Sequence, residues 1–437
     1  MKLHELTAAQ AAFQIRSRVI SSTEFVQALL ARVRETDGEI QAWETLVAER
    51  ALSRARRADA VMRRGGQLGI LHGVAFAAKD IIATAGVRTA CGFGPFDHRI
   101  PARNADVIAG LQREGAILLG KTVTTQFAWA QPSRTRNPWA LDRTPGGSSS
   151  GSAAAVAARQ VPLALGSQTA GSTLRPAAYN GVVGFKPSMG RVSTRGLFPL
   201  AKTLDHVGCI ARSVEDCALF LRAADSQPHR PSTIPGDQER PPTLGLLREA
   251  VDRSSPFVAA HLETLAKKFS KEGSDVREIA LEVPLATAIP AHRITINYEA
   301  ALLHRRLMKT YPATAYAPKT LEYIAAGSRI SRAAYLQAQI ERQRFIACLG
   351  SYLSSVDALI LPTVVDVAPP GLDTTGEPSL QTPFTFAGVP AISLPSDLSP
   401  EGLPVGLQLV GRLADDEHLL MVAQWCERQL PPLHAPS

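Results

Sequence analysis

The sequence predicts an α/β fold in which a single large mixed β-sheet is covered by helices on both faces. Short apolar runs bounded by glycine, GVAFAA before Lys79 and GAILLG before Lys121, are typical of strands that are buried on both faces. Between them lies the amphipathic segment ADVIAGLQREG, which ends at Gly115 and predicts a helix between two strands. The same alternation returns in SAAAVAAR, VPLALGS and VVGFKPS, and it indicates one continuous sheet.

The N-terminal residues, 1–65, are predicted to form helices. The stretch from Ser21 to Glu24 has the pattern of a capping box, and the apolar residues after it fall on one face of a helix. The alternation of strands and helices then occupies residues 66–224, which we expect to form the core of the sheet.

The C-terminal half resumes the same pattern after an interruption. Residues 225–242 are rich in proline and polar groups and predict a linker loop. TLGLL, a helix over 256–272 and DVREIAL follow, and VDALILPT, AISLP and GLPVGLQLVG complete the sheet. Residues 290–350 are predicted to be a variable, mostly helical region that forms a pocket wall or lid. Its candidate lining residues are Tyr298, Leu302, Leu303, Tyr311, Tyr316 and Tyr323. We therefore predict a single domain over residues 1–437.

The composition argues against several classes of protein. The chain is 45% hydrophobic, which is enough for a large core, and its formal net charge of +8 comes from scattered arginines rather than from a basic block. With 6% aromatic residues and no RNP, zinc-finger or basic-zipper pattern, we expect no nucleic-acid partner.

Cysteine usage and hydropathy indicate the cellular environment. The five cysteines are odd in number and lack CxxC spacing, so the sequence predicts neither a disulfide framework nor a metal site. No apolar run reaches the roughly 18 residues that span a bilayer, and no signal-peptide core follows Met1 and Lys2. These features predict a cytoplasmic protein that has no membrane partner.

The densest group of candidate functional residues lies in two glycine-rich loops that carry hydroxyl groups, at 146–152 and 166–172. One predicted helix and one predicted strand separate the loops, so both are expected at the edge of the sheet where ligands bind in such folds. Ser172, directly after Gly171, is a candidate nucleophile, but a serine needs a neighbouring base to remove its proton.

The base is expected to be a lysine, because none of the ten histidines lies in a catalytic signature. Burial disfavours the charged form of a lysine and makes its amine able to accept a proton. Lys79 and Lys121 each follow an apolar strand, and periodicity alone does not distinguish them.

Three blocks of the sequence resemble the signature blocks of a known family. LHGVAFAAKD, PGGSSSGSAAA and GSQTAGSTLRPAAYNGVVGFKPS occur in the order found in the amidase signature family, which comprises serine hydrolases with a Ser-cisSer-Lys triad. The likeness extends to GLPVGLQLVG and is weakest over 225–350. It implies that the chain is one amidase signature domain, with residues 66–224 as its signature core.

The resemblance implies the catalytic residues. The lysine of the family falls on Lys79, its bridging cis-serine on Ser148 and its nucleophile on Ser172, which favours Lys79 over Lys121. Neutral Lys79 then takes a proton from Ser148, which takes one from Ser172 as that oxygen attacks a carbonyl. The backbone N–H groups of Thr169, Ala170, Gly171 and Ser172 are expected to form the oxyanion hole.

The sequence departs from the commonest family pattern at four positions. Gln168 replaces an aspartate, Ala170 replaces a glycine, and Ser150 replaces the first glycine after the paired serines. Arg175 lies three residues after the nucleophile instead of two. It is a candidate for binding a substrate carboxylate in a bidentate way, as in the malonamidase-like members that this stretch resembles, and the alternative is an arginine that braces the loops.

A second interpretation remains for the first loop. GSSSG, residues 147–151, also matches GxSxG, the nucleophile elbow of α/β-hydrolases, in which Ser149 would attack. The segment before it is a poor strand, and no histidine partner is evident for such an esterase.

The resemblance implies a cofactor-free enzyme that hydrolyses acyl C–N bonds through an acyl-enzyme on Ser172. Its substrate would be a small carboxamide, anilide or carbamate, as for an aryl amidase or a urethanase. A homodimer is compatible with the sequence. One alternative is the glutaminase-type component of an amidotransferase, which works together with partner proteins. Another is a catalytically silent binding protein, which is disfavoured because all three triad positions are filled.

Overall fold

A mixed sheet of eleven strands runs through the part of the chain that the computed structural model describes, residues 2–129, 131–226, 240–433 and 436. The strands are β1 (Trp43–Leu46), β2 (Ala75–Lys79), β3 (Ile117–Thr122), β4 (Leu163–Gln168), β5 (Val183–Lys186), β6 (His206–Ala211), β7 (Thr243–Leu247), β8 (Asp275–Ile279), β9 (Ala358–Pro362), β10 (Ala391–Leu398) and β11 (Pro404–Val410). Their order across the sheet is β1-β3-β2-β4-β6-β5-β10-β11-β9-β7-β8. Strand β2 runs parallel to β3 and β4, and β7 runs parallel to β8 and β9, whereas the remaining pairs are antiparallel. The predicted single mixed sheet is confirmed.

Helices cover both faces of this sheet, as predicted. In the same described residues they are α1 (Ala8–Arg16), α2 (Ser22–Ile40), α3 (Ala48–Arg63), α4 (Asp106–Arg113), α5 (Ser150–Ala157), α6 (Leu174–Tyr179), α7 (Val214–Ala224), α8 (Arg248–Asp252), α9 (Pro256–Lys271), α10 (Leu285–Leu307), α11 (Pro318–Ser328), α12 (Arg332–Leu353), α13 (Thr382–Ala387) and α14 (Asp416–Gln429). None of the helices within the described ranges combines the length and the apolar character that crossing a bilayer requires.

The N-terminal region contains one strand that the helical prediction for residues 1–65 missed. The capping box is present at α2, where Ser21 Oγ accepts the Glu24 N–H and a Glu24 carboxylate oxygen accepts the Ser21 N–H. Between α2 and α3, however, β1 pairs with β3 at the edge of the sheet, and Trp43 lies opposite Thr122. Four residues between two long helices are too short to show a strand period.

Strand β6 was also missed, and it lies in the centre of the sheet between β4 and β5. All six of its residues, which begin with His206, are buried. The predicted linker begins directly after α7, at Asp225, and ends where β7 begins at Thr243. Residues 227–239 of this linker lie outside the described part of the chain.

Helix α5 determines where the first glycine-rich loop lies. Every residue of the helix is buried, and the helix packs against β2, β3, β4 and β6. Its side chains are small because neighbouring backbone comes close: a Cβ on Gly151 would lie 2.2 Å from the Ala42 carbonyl oxygen. This close packing holds the N-terminal end of α5, with Ser148 and Ser149 before it, beside the ends of β2 and β4.

Candidate active site

Lys79 is the last residue of β2 and is completely buried. Its Nζ lies 2.7 Å from Ser148 Oγ and 2.8 Å from Ser167 Oγ. Burial lowers the pKa of the Lys79 ammonium well below its ordinary range, and the carboxylate of Asp205 opposes that shift. A neutral amine within hydrogen-bond distance of a serine hydroxyl is able to accept the proton of that hydroxyl.

The loop that carries Ser148 follows a tight path before α5. The peptide bond between Gly147 and Ser148 is cis, and Gly146 has a φ of +75°. A Cβ at Gly146 would lie 3.0 Å from Pro176 Cα, so the position requires glycine for both its backbone conformation and its space. The loop therefore passes directly over the first turn of α6.

Ser172 lies in the turn between β4 and α6 and lines a cavity of about 220 Å³. The residue is 8% exposed and lines this cavity, so it is nearly enclosed elsewhere. The carbonyl oxygen of Ser172 accepts the N–H of Ser149 at 3.3 Å, which connects the two loops. The loops at 146–152 and 166–172 thus meet at one edge of the sheet, as predicted from their flanking elements.

Gln168 supports the turn from within. Its Oε1 accepts the N–H groups of Thr173 at 2.9 Å and Leu174 at 3.0 Å, and its Nε2 donates to Thr385 Oγ1 at 2.9 Å. A glutamine therefore supplies the acceptor that an aspartate would supply here, without a negative charge beside the cavity.

Three side-chain bonds hold the carbonyl and hydroxyl groups of the turn away from the cavity. His292 Nε2 donates to the Thr169 carbonyl oxygen at 2.7 Å, and Thr385 Oγ1 donates to that of Ala170 at 2.6 Å. Thr169 Oγ1 donates to Asp205 Oδ1 at 2.7 Å.

Three N–H groups of the turn have no acceptor among the described residues. Those of Ala170, Gly171 and Ser172 make no donor bond to any residue in the described part of the chain. The φ of Ala170 is not positive, so an alanine is accommodated there without strain. Sequence reasoning missed His292, Asp205 and Thr385, because each contacts the turn from a distant element and belongs to no motif.

One wall of the cavity is a single face of α10. The spacing of the five α10 residues in the wall follows the helical period. They are Ile289, His292, Arg293, Ile296 and Asn297. Of the six lining candidates that the sequence suggested in 290–350, Tyr323 lines this cavity, whereas Tyr311 and Tyr316 pack around Phe93 and do not line it.

Arg175 lines the cavity and also braces the loops. Its Nη1 donates to the Gly376 carbonyl oxygen at 2.8 Å, and its Nη2 donates to that of Gly147 at 2.7 Å. Burial lowers the pKa of Arg175 to about 10, which leaves it charged near neutral pH. The bracing role is therefore visible in the geometry, and it uses the two terminal nitrogens that a bidentate carboxylate contact would need.

The competing candidates from the sequence lie elsewhere. Lys121 Nζ donates to the Ile82 carbonyl oxygen and to Thr89 Oγ1, and it lies 3.6 Å from Asp80 Oδ1. Ser149 is completely buried and bonds to the backbone of Ser167, at 3.3 Å and 3.4 Å. Neither residue lines the cavity that contains Ser172.

Comparison with known proteins identifies similar chains over nearly the full length. A family model described as Amidase matches residues 24–420. A glutamyl-tRNA(Gln) amidotransferase subunit from Natranaerobius thermophilus is 33% identical, over 98% of this chain and 96% of that protein. A crystal structure of an amidase has a TM-score of 0.89 at 30% identity and covers 98% of this chain and 100% of its own. The structure of 6-aminohexanoate cyclic dimer hydrolase with its substrate has a TM-score of 0.88 at 26% identity, covering 99% and 98%.

Proposed function

Because this chain belongs to the amidase signature family, we propose that it hydrolyses acyl C–N bonds through an acyl-enzyme on Ser172. The observation that carries the proposal is the 2.7 Å contact between Lys79 Nζ and Ser148 Oγ, beside a cavity that Ser172 lines. The deep burial of Lys79 supports the neutral base that such a reaction needs.

In the first half-reaction Ser172 Oγ attacks the carbonyl carbon of the substrate. Ser148 takes the proton of Ser172 and passes its own proton to Lys79, so the charge ends on a lysine ammonium. The N–H groups of residues 169–172 stabilise the oxyanion, and the loss of one such donor typically lowers turnover about 100-fold to 1000-fold. The C–N bond then breaks, and the leaving amine takes a proton from Ser148, which Lys79 replaces.

In the second half-reaction water replaces the amine. Lys79, again neutral, removes a proton from water through Ser148, and the resulting hydroxide equivalent attacks the ester carbonyl. The acid leaves as Ser172 recovers its proton. Carboxamides, anilides and carbamates all offer a carbonyl and a leaving nitrogen to this arrangement, so we extend the proposal to aryl amidase and urethanase substrates.

The second candidate function is that of the glutaminase-type component of an amidotransferase. The relative from Natranaerobius thermophilus belongs to an amidotransferase, and relatives of this kind favour the second candidate over a free-standing hydrolase. The solved amidase and the cyclic dimer hydrolase support hydrolysis of C–N bonds as the common chemistry of both candidates.

The experiment is a panel of amides, anilides, carbamates and glutamine offered to the purified chain alone, with the covalent adduct read by mass spectrometry. We expect an acyl adduct on Ser172 and its absence in Ser172→Ala, with Ser149→Ala as the matched control that keeps the adduct. Turnover by Ser172→Ala would refute the nucleophile. Hydrolysis that appears only when partner proteins are added would favour the amidotransferase component.

A further inference from the structure

We propose that the substrate carries a carboxylate but no ammonium group, and that Arg293 is the residue that recognises the carboxylate. This inference rests on the proposed function, since it concerns the substrate of the same cavity. The end of the substrate that does not react is negatively charged, and the Arg293 side chain binds it.

The charges in the cavity wall have one sign. Arg175 and Arg293 both line the cavity, and none of the described residues that line it is an aspartate or a glutamate. Burial lowers the pKa of His292 to about 4, so its ring is neutral near neutral pH and adds no charge. Opposite charges attract more strongly in a partly enclosed site than in water, so the cavity favours an anionic ligand.

The two arginines differ in whether their guanidinium N–H groups already have acceptors in the protein. Arg175 donates through both terminal nitrogens to backbone carbonyl groups, at 2.8 Å and 2.7 Å. Arg293 is exposed, and its side chain makes no hydrogen bond or ion pair with any residue in the described ranges. Its guanidinium is therefore the one whose paired N–H groups are free to bind a carboxylate in a bidentate way.

Two buried polar atoms in the same wall are also without partners among the described residues. They are Asn297 Oδ1 and Arg175 Nε, one acceptor and one donor. Buried polar atoms are nearly always satisfied by protein, water or ligand. Both atoms are fully enclosed, so the recognition of a ligand in the cavity depends on Arg293 instead.

The charges of the wall also argue against an amino-acid amide. The α-ammonium of glutamine would enter beside two arginines without a carboxylate in the described wall to pair with it, which is unfavourable. An amide of the same length that keeps the carboxylate and lacks the ammonium avoids this cost. Glutaramate is that compound, and pentanamide is its neutral counterpart.

The test compares kcat/KM for glutaramate, glutamine and pentanamide in four proteins: wild type, Arg293→Ala, Arg293→Lys and Arg305→Ala. Arg305 is exposed on the same helix and does not line the cavity, so its variant is the matched control. We expect wild type to prefer glutaramate to both other compounds. Arg293→Ala should lower the ratio of kcat/KM for glutaramate to kcat/KM for pentanamide about tenfold or more. Arg293→Lys should lower this ratio less, and Arg305→Ala should leave it unchanged.

A binding measurement separates this inference from the proposed function. Glutaramate should bind Ser172→Ala at least about tenfold more tightly than it binds the double variant Ser172→Ala, Arg293→Ala, as measured by calorimetry. If glutaramate binds in this way but no amide is hydrolysed by wild type, the proposed function is wrong and the inference stands. If pentanamide is hydrolysed but glutamine is preferred, or if Arg293→Ala lowers both amides by one factor, the inference is overturned.

Discussion

Replacing His292 with phenylalanine tests whether a helix outside the signature blocks holds the oxyanion turn in place. The change keeps a ring of similar size next to Phe386, whose centroid lies 5.8 Å away. It removes the Nε2 donor that bonds to the Thr169 carbonyl oxygen at 2.7 Å.

The magnitude follows from that one bond. A buried carbonyl that loses its donor costs about 1–3 kcal/mol. If the whole cost falls on the transition state, kcat decreases by about 5-fold to 150-fold, because each 1.36 kcal/mol is tenfold in rate. Since Thr169 Oγ1 remains bonded to Asp205, we expect a loss near the lower end, about tenfold.

The assay is single-turnover acylation of Ser172 together with thermal unfolding of each variant. His292→Gln carries an amide N–H at a similar reach, and it should recover part of kcat without recovering the ring contact. His261→Phe is the matched control, because His261 Nε2 bonds to Ser396 Oγ at 2.9 Å and His261 does not line the cavity. A His292→Phe enzyme with wild-type kcat, or one in which only KM changes, would refute the positioning role.

Two further predictions concern the base and the first loop. Because burial lowers the pKa of Lys79, the acylation rate should rise with pH as Lys79 loses its proton. The free energy of unfolding should also rise with pH between that lowered pKa and the ordinary value, because the unfolded chain binds a proton there that the folded chain does not. An acylation rate that increases as the pH is lowered would contradict the assignment of a neutral Lys79 as base. Gly146→Ala should destabilise the fold by about 1–3 kcal/mol and slow acylation, because φ is +75° and the new Cβ would lie 3.0 Å from Pro176 Cα. Gly190→Ala is the control for backbone strain without a clash, because Gly190 has a φ of +77° and an added Cβ there would have no atom within 4 Å. Equal unfolding midpoints for the two variants would show that the clash at position 146 does not matter.

The parts of the site that sequence reasoning predicted are those encoded within short stretches. Lys79 ends a run of apolar residues, and Ser172 follows a glycine in a turn between a strand and a helix, so both are visible as candidates in about ten letters of sequence. Lys121 has the same local pattern as Lys79, and the family resemblance is what favours Lys79. The contact between His292 and Thr169 spans 123 positions, and it depends on how α10 docks against the turn. No local pattern carries that information, because a lone histidine on a helix looks the same whether it faces a turn or the core.

The same distinction applies to the strands. β2 and β3 are fully buried apolar runs next to glycine, and the sequence predicts both. β1 has only four residues and is only partly buried, so it lacks that signal. β6 carries an apolar run, HVGCIA, which did contain a usable signal. Arg175 shows the limit for single side chains: its place in the sequence allowed a ligand role or a bracing role, and the backbone carbonyls near it decide which bonds it makes.

The arrangement of the cavity has a consequence for enzyme engineering. The signature loops contribute the reacting hydroxyls and main-chain dipoles, while one face of α10 contributes five wall residues from a segment outside those loops. A combinatorial library restricted to positions 289, 293, 296 and 297, with 292 held as histidine, would vary selectivity and leave the chemical machinery intact. Because the reacting groups and the α10 wall residues come from different segments, substitutions in one helix can change which substrate the enzyme prefers.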